Sequence, residues 1–160
     1  MDGWLVSINV KPKDATEVGI PKQSIEVAQV TEWGVENDFN YYRFYSKGNT
    51  KDRAVLILTK EIIDDLNREG WPVGIGHLGE NLTLESVQSS ELDVGTELCV
   101  GEVQLQITEL CQPCRTLANL NYVGQERVDE FITTLKGRRG WYARVLRPGK
   151  IRKGDPVRRK

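Results

Sequence analysis

A chain of 160 residues, 39% of them hydrophobic, fits one domain of roughly 100–200 residues and buries roughly 70% of its unfolded surface with no metal or disulfide to hold it. No apolar run approaches the ~18 residues of a membrane span, the start "MDGWLVSINV" lacks the basic region and cleavage site of a secretory leader, and three cysteines are an odd count for a disulfide framework. The expectation is a soluble cytoplasmic protein, one domain over residues 1–160, with no membrane partner. The net charge of −1 is unevenly spread: eleven Lys/Arg and a single acidic residue, Asp155, lie from Lys136 onward. In "WYARVLRPGKIRKGDPV" these charges alternate with apolar residues, the pattern of a solvated sheet face, so no nucleic-acid partner is expected.

In chain order, strand signals come first in "GWLVSINV" and "SIEVAQVT". From Thr31 to Arg53 the pattern breaks down. This stretch is polar and aperiodic, yet Trp33, Phe39, Tyr41, Tyr42, Phe44 and Tyr45 are too many aromatics for a disordered linker. It reads either as ordinary packing, part of it a strand at a barrel rim, or as a lid over a site. The apolar run "AVLILT" is a buried strand, and a helix follows Thr59 as N-cap, turns Ile62, Ile63 and Leu66 inward and stops at Gly70. "GIGHLGENLTL" places three glycines within six positions, a turn able to aim several N–H groups at an anion or simply to join two strands. It precedes a strand-like run, "NLTLES", and so is neither a Walker loop nor a dinucleotide fingerprint. "TELCVGEVQLQIT" reads as a hairpin turning at Gly101-Glu102, and "WYARVLRPGKIRKGDPV" as another turning at Pro148-Gly149. Between them, Gln125 to Lys136 carries Val128, Phe131, Ile132 and Leu135 at helical spacing, with Gly137 beyond. The sum is a mostly β protein with a few helices, a closed or nearly closed β-barrel.

The segment "ITELCQPCRTLANL" holds Cys111 and Cys114, a soft-ligand pair between a strand-like and a helix-like run. A structural zinc site needs about four ligands. The candidates are Cys99, Cys111, Cys114 and the single histidine, His77, with no second paired motif. Cys99 falls in an alternating strand and reads as a small core residue. A thiol–disulfide pair has the strand–Cys-x-Pro-Cys–helix form but lacks βαβ surroundings. The third reading is a single working thiol at Cys114.

Taken together, "SINVKP", "DRAVLIL", "GHLGENLTL", "LDVGTELCVG", "PCRTL", "GWYARVL" and "KGDPV" occur in the order and approximate spacing of the small stand-alone MOSC-domain proteins. That family is named for the C-terminal domain of molybdenum cofactor sulfurases. The chain resembles it from Ser7 to about Val157. The resemblance implies a barrel-like fold that binds the molybdenum cofactor, molybdopterin, with Cys114 as the functional sulfur, either a thiolate ligand to molybdenum or a sulfur carrier. It also implies an oxidoreductase of N-hydroxylated small molecules or a sulfur-transfer component. Nothing in the chain encodes a nicotinamide, flavin or iron–sulfur site, so the electron donor or sulfur donor would be another protein. The alternatives are a non-catalytic molybdopterin carrier and a thiol–disulfide redox protein using Cys111 and Cys114.

A thiolate is soft and anionic and suits a sulfur-rich metal centre. A helix beginning at "RTLANL" and the adjacent Arg115 would lower the pKa of Cys114. For the phosphate of the pterin, Arg53 and Arg144 are the candidate forks, each equally suited to a structural ion pair. Gly79 and Glu80 form the turn beside Asn81, whose amide suits a pterin edge or a capping role. His77 is a candidate proton donor or a residue that orients its turn, with Glu80 and Asp38 as further candidate acids. Two departures stand out. Asn37-Asp38, followed by "FNYY", replaces a Gly-Asp pair of many members, and Cys111 occupies a position often basic in relatives, where a Cys111–Cys114 disulfide becomes feasible.

Overall fold

Every strand run expected from the sequence is a strand in the computed structural model, which describes residues 2–12, 18–38 and 50–160. The wall of the molecule is built from β1 (Asp2–Val10), β5 (Val55–Thr59), β6 (Leu82–Glu85), β7 (Glu97–Val100), β8 (Val103–Leu110), β9 (Trp141–Arg147) and β11 (Pro156–Arg159). Their hydrogen-bonded order is β11-β7-β8-β9-β5-β6-β1, and β1 pairs in turn with β11, which closes a seven-stranded barrel. The seam is antiparallel, with Asp2 opposite Arg158, Gly3 opposite Val157 and Trp4 opposite Pro156. β5 and β6 run parallel, Ile57 beside Leu82, because α1 (Lys60–Arg68) carries the chain back between them. Parallel pairs are covered on both faces, and all five residues of β5 are buried.

Alternation decides which side chains fill the barrel. In β7 Leu98 and Val100 are buried while Glu97 and Cys99 are only half-buried, so Cys99 lies on the outer wall and is not a core residue. Leu5, Ile8, Ile57, Leu82, Leu105 and Ile107 are essentially inaccessible. Full burial of side chains of this size contributes roughly 1.5–3 kcal/mol apiece. The two helices pack outside. α1 turns Ile62, Ile63 and Leu66 inward, as its spacing predicts. Thr59 stands at its N-cap, but the hydroxyl makes no cap bond and lies 3.2 Å from Ser89 Oγ. α2 (Gly124–Leu135) buries Val128, Phe131 and Leu135, with Phe131 4.5 Å from the Trp71 ring.

One run read as a single strand is divided, and one expected hairpin is not made. "SIEVAQVT" becomes β2 (Gln23–Ile25), on the far end of β1, and β3 (Val27–Thr31), which belongs to a second sheet of order β10-β3-β4. The partners there are β4 (Gly34–Val35) and β10 (Gly149–Arg152). The expected hairpin at Pro148-Gly149 does not form. β8 takes one edge of β9 along its length and β5 takes the other only from Trp141 to Ala143; β10 pairs instead with β3. Proline lacks the N–H that would carry a ladder past that point. Of the aromatic stretch, Trp33 is exposed, with the Lys51 ammonium 4.6 Å over its ring. Phe39, Tyr41, Tyr42, Phe44 and Tyr45 lie outside the described residues. Among those described, no helix is long and apolar enough to cross a membrane.

Candidate functional site

Leu56 and Tyr142 sit directly opposite each other across β5 and β9. Their neighbours Val55, Ile57, Trp141 and Ala143 point into the main core, so this pair faces the other way. With Cys111 it forms a separate buried cluster on the outer side of the wall. That cluster floors a cleft of about 420 Å³ whose rim includes Ile20, Lys22, Arg53, Gly79, Cys114 and Arg139. The volume falls within the roughly 300–1,000 Å³ of small-molecule sites.

The cysteine segment follows from how β8 ends. One step past Leu110 the Cys111 N–H still bonds to Gly140 O at 2.8 Å, which holds its thiol inward and nearly inaccessible. Gln112 and Pro113 then run without regular structure. Cys114, with extended backbone (φ −143°, ψ 172°), opens a five-residue 3-10 turn over Arg115–Asn119 in place of the expected helix, and buried Leu117 anchors that turn. The Cys114 thiol is exposed to the cleft. Thr116 Oγ1 lies 2.9 Å from its sulfur, and Arg139 Nη1 donates to it at 3.1 Å.

Arg139 is the residue that the sequence reading missed. Its guanidinium is almost fully buried, held by Leu78 O through Nε and by Gln112 O through Nη1, each at 3.4 Å. Its neighbour Arg138 points the other way, to Glu69 and to Thr134 O. Gly140 makes that local geometry. It has φ +99°, and a Cβ there would collide with Ile57 O. The visible signal was the pair of arginines between two glycines in "KGRRGW", directly ahead of a strand.

The electrostatics separate the two thiols. Burial tends to raise the Cys114 pKa, but the Arg139 charge and the hydrogen bonds from Thr116 and Arg139 outweigh it and hold the thiol below its ordinary value. Burial pushes the Cys111 thiol up, with Arg139 and Tyr142 only partly offsetting it. All three cysteines are free thiols. At neutral pH Cys114 is therefore the better source of thiolate, the species that coordinates and attacks.

The other expected site residues are distributed as follows. Arg53 lines the cleft, paired with Glu109 and lying 5.2 Å over the Tyr142 ring. Arg144 points off the exposed face of β9 to Asp52 (3.2 Å) and Gln106 (3.3 Å), outside the cleft. Arg115 turns away to Asp129 and Gln125 on α2. Gly79 forms part of the wall, with φ +90° and room for a Cβ only 3.0 Å from Ile20 Cγ2. Asn81 is fully buried and works as a brace: Oδ1 accepts from Leu56 N–H, and Nδ2 donates to Asn9 O and Asp38 Oδ2. Asp38 is also the partner of cleft-lining Lys22, at 2.7 Å. Glu80 Oε2 accepts from the Gly76 N–H and from Thr83 Oγ1, both at 3.1 Å, and Oε1 is a buried oxygen without a hydrogen bond among the described residues. The glycine-rich turn thus wraps around its own carboxylate, and burial lifts that carboxyl to about 7 despite these bonds. His77 lies off the cleft; its Nδ1 accepts from Gly74 N–H (3.0 Å) and stands 3.1 Å from the Tyr122 hydroxyl. Among the described residues, no group of three or more His, Cys, Asp or Glu converges to hold a metal ion.

Among the described residues, the cleft therefore offers one accessible soft donor backed by a buried guanidinium, three cations (Lys22, Arg53, Arg139) against the carboxylate of Glu109, and apolar walls. This donor set suits a soft metal centre attached to an anionic organic group.

The profile of the MOSC domain matches residues 43–158, well over half of the chain, and the protein belongs to that family, which is known for binding the molybdenum cofactor. The fold is similar to that of YiiM from Geobacillus stearothermophilus, at 26% identity and a TM-score of 0.73, over 99% of this chain and 75% of that one. YuaD from Bacillus subtilis (16%, TM-score 0.78, 98% and 94% covered) and YiiM from Escherichia coli (22%, TM-score 0.71, 99% and 69% covered) share the fold. No curated protein matches the chain.

Proposed function

We propose that this chain binds the molybdenum cofactor in the cleft with Cys114 as the protein sulfur donor, and that it acts as an oxidoreductase of N-hydroxylated small molecules. The observation that carries the reading is the Cys114 thiol, open to the cleft and held by Arg139 Nη1 at 3.1 Å. When bound, the cofactor supplies a two-electron redox centre. The chain's own residues do the rest. Arg139 and Thr116 contact the sulfur where it faces the cleft and favour its thiolate form. Arg53, with Lys22 on the same rim, supports the anionic end of the organic group. Leu56, Leu78, Leu110 and Pro113 keep bulk water from the walls. Electrons come from a partner protein.

The test is protein purified without air from cells that make the cofactor. Molybdenum and a fluorescent pterin oxidation product should accompany the parent and Cys111→Ser and be lost from Cys114→Ser, because a serine hydroxyl is neither soft nor easily ionised. The loaded parent, given a chemical reductant, should convert a hydroxylamine to the amine. Zinc at one per chain with no pterin would sink the reading. Cofactor binding without turnover would leave the carrier role, and cyanide-labile sulfur on Cys114 would favour sulfur transfer by the same thiolate.

A further inference from the structure

Cys111 and Cys114 border one cleft, and a single guanidinium links their surroundings. Arg139 Nη1 contacts Cys114 Sγ at 3.1 Å and Gln112 O at 3.4 Å, and that same carbonyl oxygen lies 3.8 Å from Cys111 Sγ. The path from sulfur to sulfur thus crosses one carbonyl and one guanidinium nitrogen. The backbone outside the pair is fixed, by Cys111 N–H to Gly140 O and by Leu117 N–H to Cys114 O. The link within it is loose. Gln112 and Pro113 belong to no strand or helix, proline has no N–H, and the Gln112 N–H makes no backbone hydrogen bond among the described residues. Closing the two sulfurs therefore breaks no ladder. Binding through Cys114 makes no use of the Cys111 thiol.

We propose that Cys114 is a site of oxidation by hydroperoxides and that Cys111 is its resolving thiol, so that a disulfide between them withdraws the donor sulfur from the cleft. In the first step the Cys114 thiolate attacks one oxygen of the peroxide. The O–O bond breaks, the departing alkoxide takes a proton and leaves as an alcohol (water, from hydrogen peroxide), and the sulfur, oxidised by two electrons, becomes a sulfenic acid. In the second, the Cys111 sulfur attacks the Cys114 sulfur. The S–S bond forms, the S–O bond breaks, and the hydroxide leaves with the thiol proton as water. A small dithiol reverses the pair by exchange. The Arg139 charge favours the thiolate in the first step and the departing hydroxide in the second. Cys99 stands on the outer barrel wall and does not line the cleft, which leaves Cys111 as the resolving partner within the chain.

The full chain, reduced, desalted and exposed to hydrogen peroxide with dimedone present, tests this by peptide mass. The parent should lose two thiols, and the peptide holding both cysteines should become lighter by two hydrogens, reversibly with dithiothreitol. Cys111→Ser should instead accumulate a dimedone adduct on Cys114. Cys114→Ser should leave Cys111 unmodified, and Arg139→Met should slow the parent reaction severalfold. A stable dimedone adduct or sulfinic acid on Cys114 of the parent, or a disulfide through Cys99 between two copies, would overturn the proposal. That the disulfide withdraws a donor sulfur rests on the cofactor reading, but the readout is mass alone, so its failure leaves that reading standing.

Discussion

Arg139 and Cys114 act as one unit, and their coupling is measurable. Replacing Arg139 by Met removes both the charge and the hydrogen bond that hold the Cys114 thiol below its ordinary pKa. What remains is burial, which raises it, opposed by the Thr116 hydrogen bonds. The midpoint of the pH dependence of iodoacetamide alkylation at Cys114 should therefore move up, and the rate at pH 7 should fall, since less thiolate is present. Arg139→Lys should fall between the two. An unchanged alkylation profile in Arg139→Met would show that the guanidinium does not tune the thiol. The other arginines separate by position. Arg53→Ala takes a cation from the cleft rim and should weaken cofactor retention by about 1.5–3 kcal/mol, the worth of one charge-assisted contact. Arg144→Ala loses only contacts to Asp52 and Gln106 on the outer face and should retain the cofactor as the parent does. Equal pterin content in both variants would remove Arg53 from the site. At this scale the sequence was informative about residues with a local signature. Cys114 stood out because thiol chemistry is carried by the residue type. Arg139 did not, because its role comes from Gly140 turning the chain and from carbonyls of Leu78 and Gln112, which lie far away in sequence or in an unpatterned link.

At the scale of elements, the glycine-rich turn and the β8–β9 junction hold the site in place. Glu80, wrapped by the turn, has a carboxyl raised by burial to about 7 in the folded chain from an ordinary 4.5. The folded state therefore holds its proton more tightly than the unfolded one. The sign follows: this group's contribution is fully present below about pH 4.5 and is lost as the pH rises through about 7. The loss is at most on the order of 3 kcal/mol. Glu80→Gln should match the parent in urea denaturation at pH 4.5 and exceed it at pH 8. Parallel stability profiles for the two would contradict the burial argument. Gly140→Ala adds a Cβ against Ile57 O at φ +99° and should lower the melting temperature and lose the Cys114 reactivity together. Strand and helix positions were legible because alternation and 3.6-residue spacing are written locally, as in β5 and α1. The partition of strands between two sheets was not. "SIEVAQVT" and "LRPGKIR" alternate whichever sheet they join, and the choice of β3 as the partner of β10 is a tertiary contact that no local pattern encodes.

For the whole molecule, closure of the barrel is the decisive event. β11 fills the gap between β7 and β1, and Val157 is buried in the common core. Removing residues 155–160 leaves two unpaired strand edges and an opened core. Such a chain should lose its single cooperative unfolding transition and elute from a sizing column as aggregates, as exposed edges promote. A monomeric, cooperatively unfolding product would mean that the seam is dispensable. The same seam joins Asp2–Trp4 to Pro156–Arg158, and this has a consequence for manufacture on the ribosome. Residues are added from the β1 end, so β1 waits through the translation of nearly every other described strand before its last neighbour exists. Helix α1 and the β5–β6 pair are complete long before that. A nascent chain stalled ahead of Pro156 therefore presents an unfinished sheet to the cell's chaperones, and native packing of the seam is reserved for the moment when the final strand emerges from the exit tunnel.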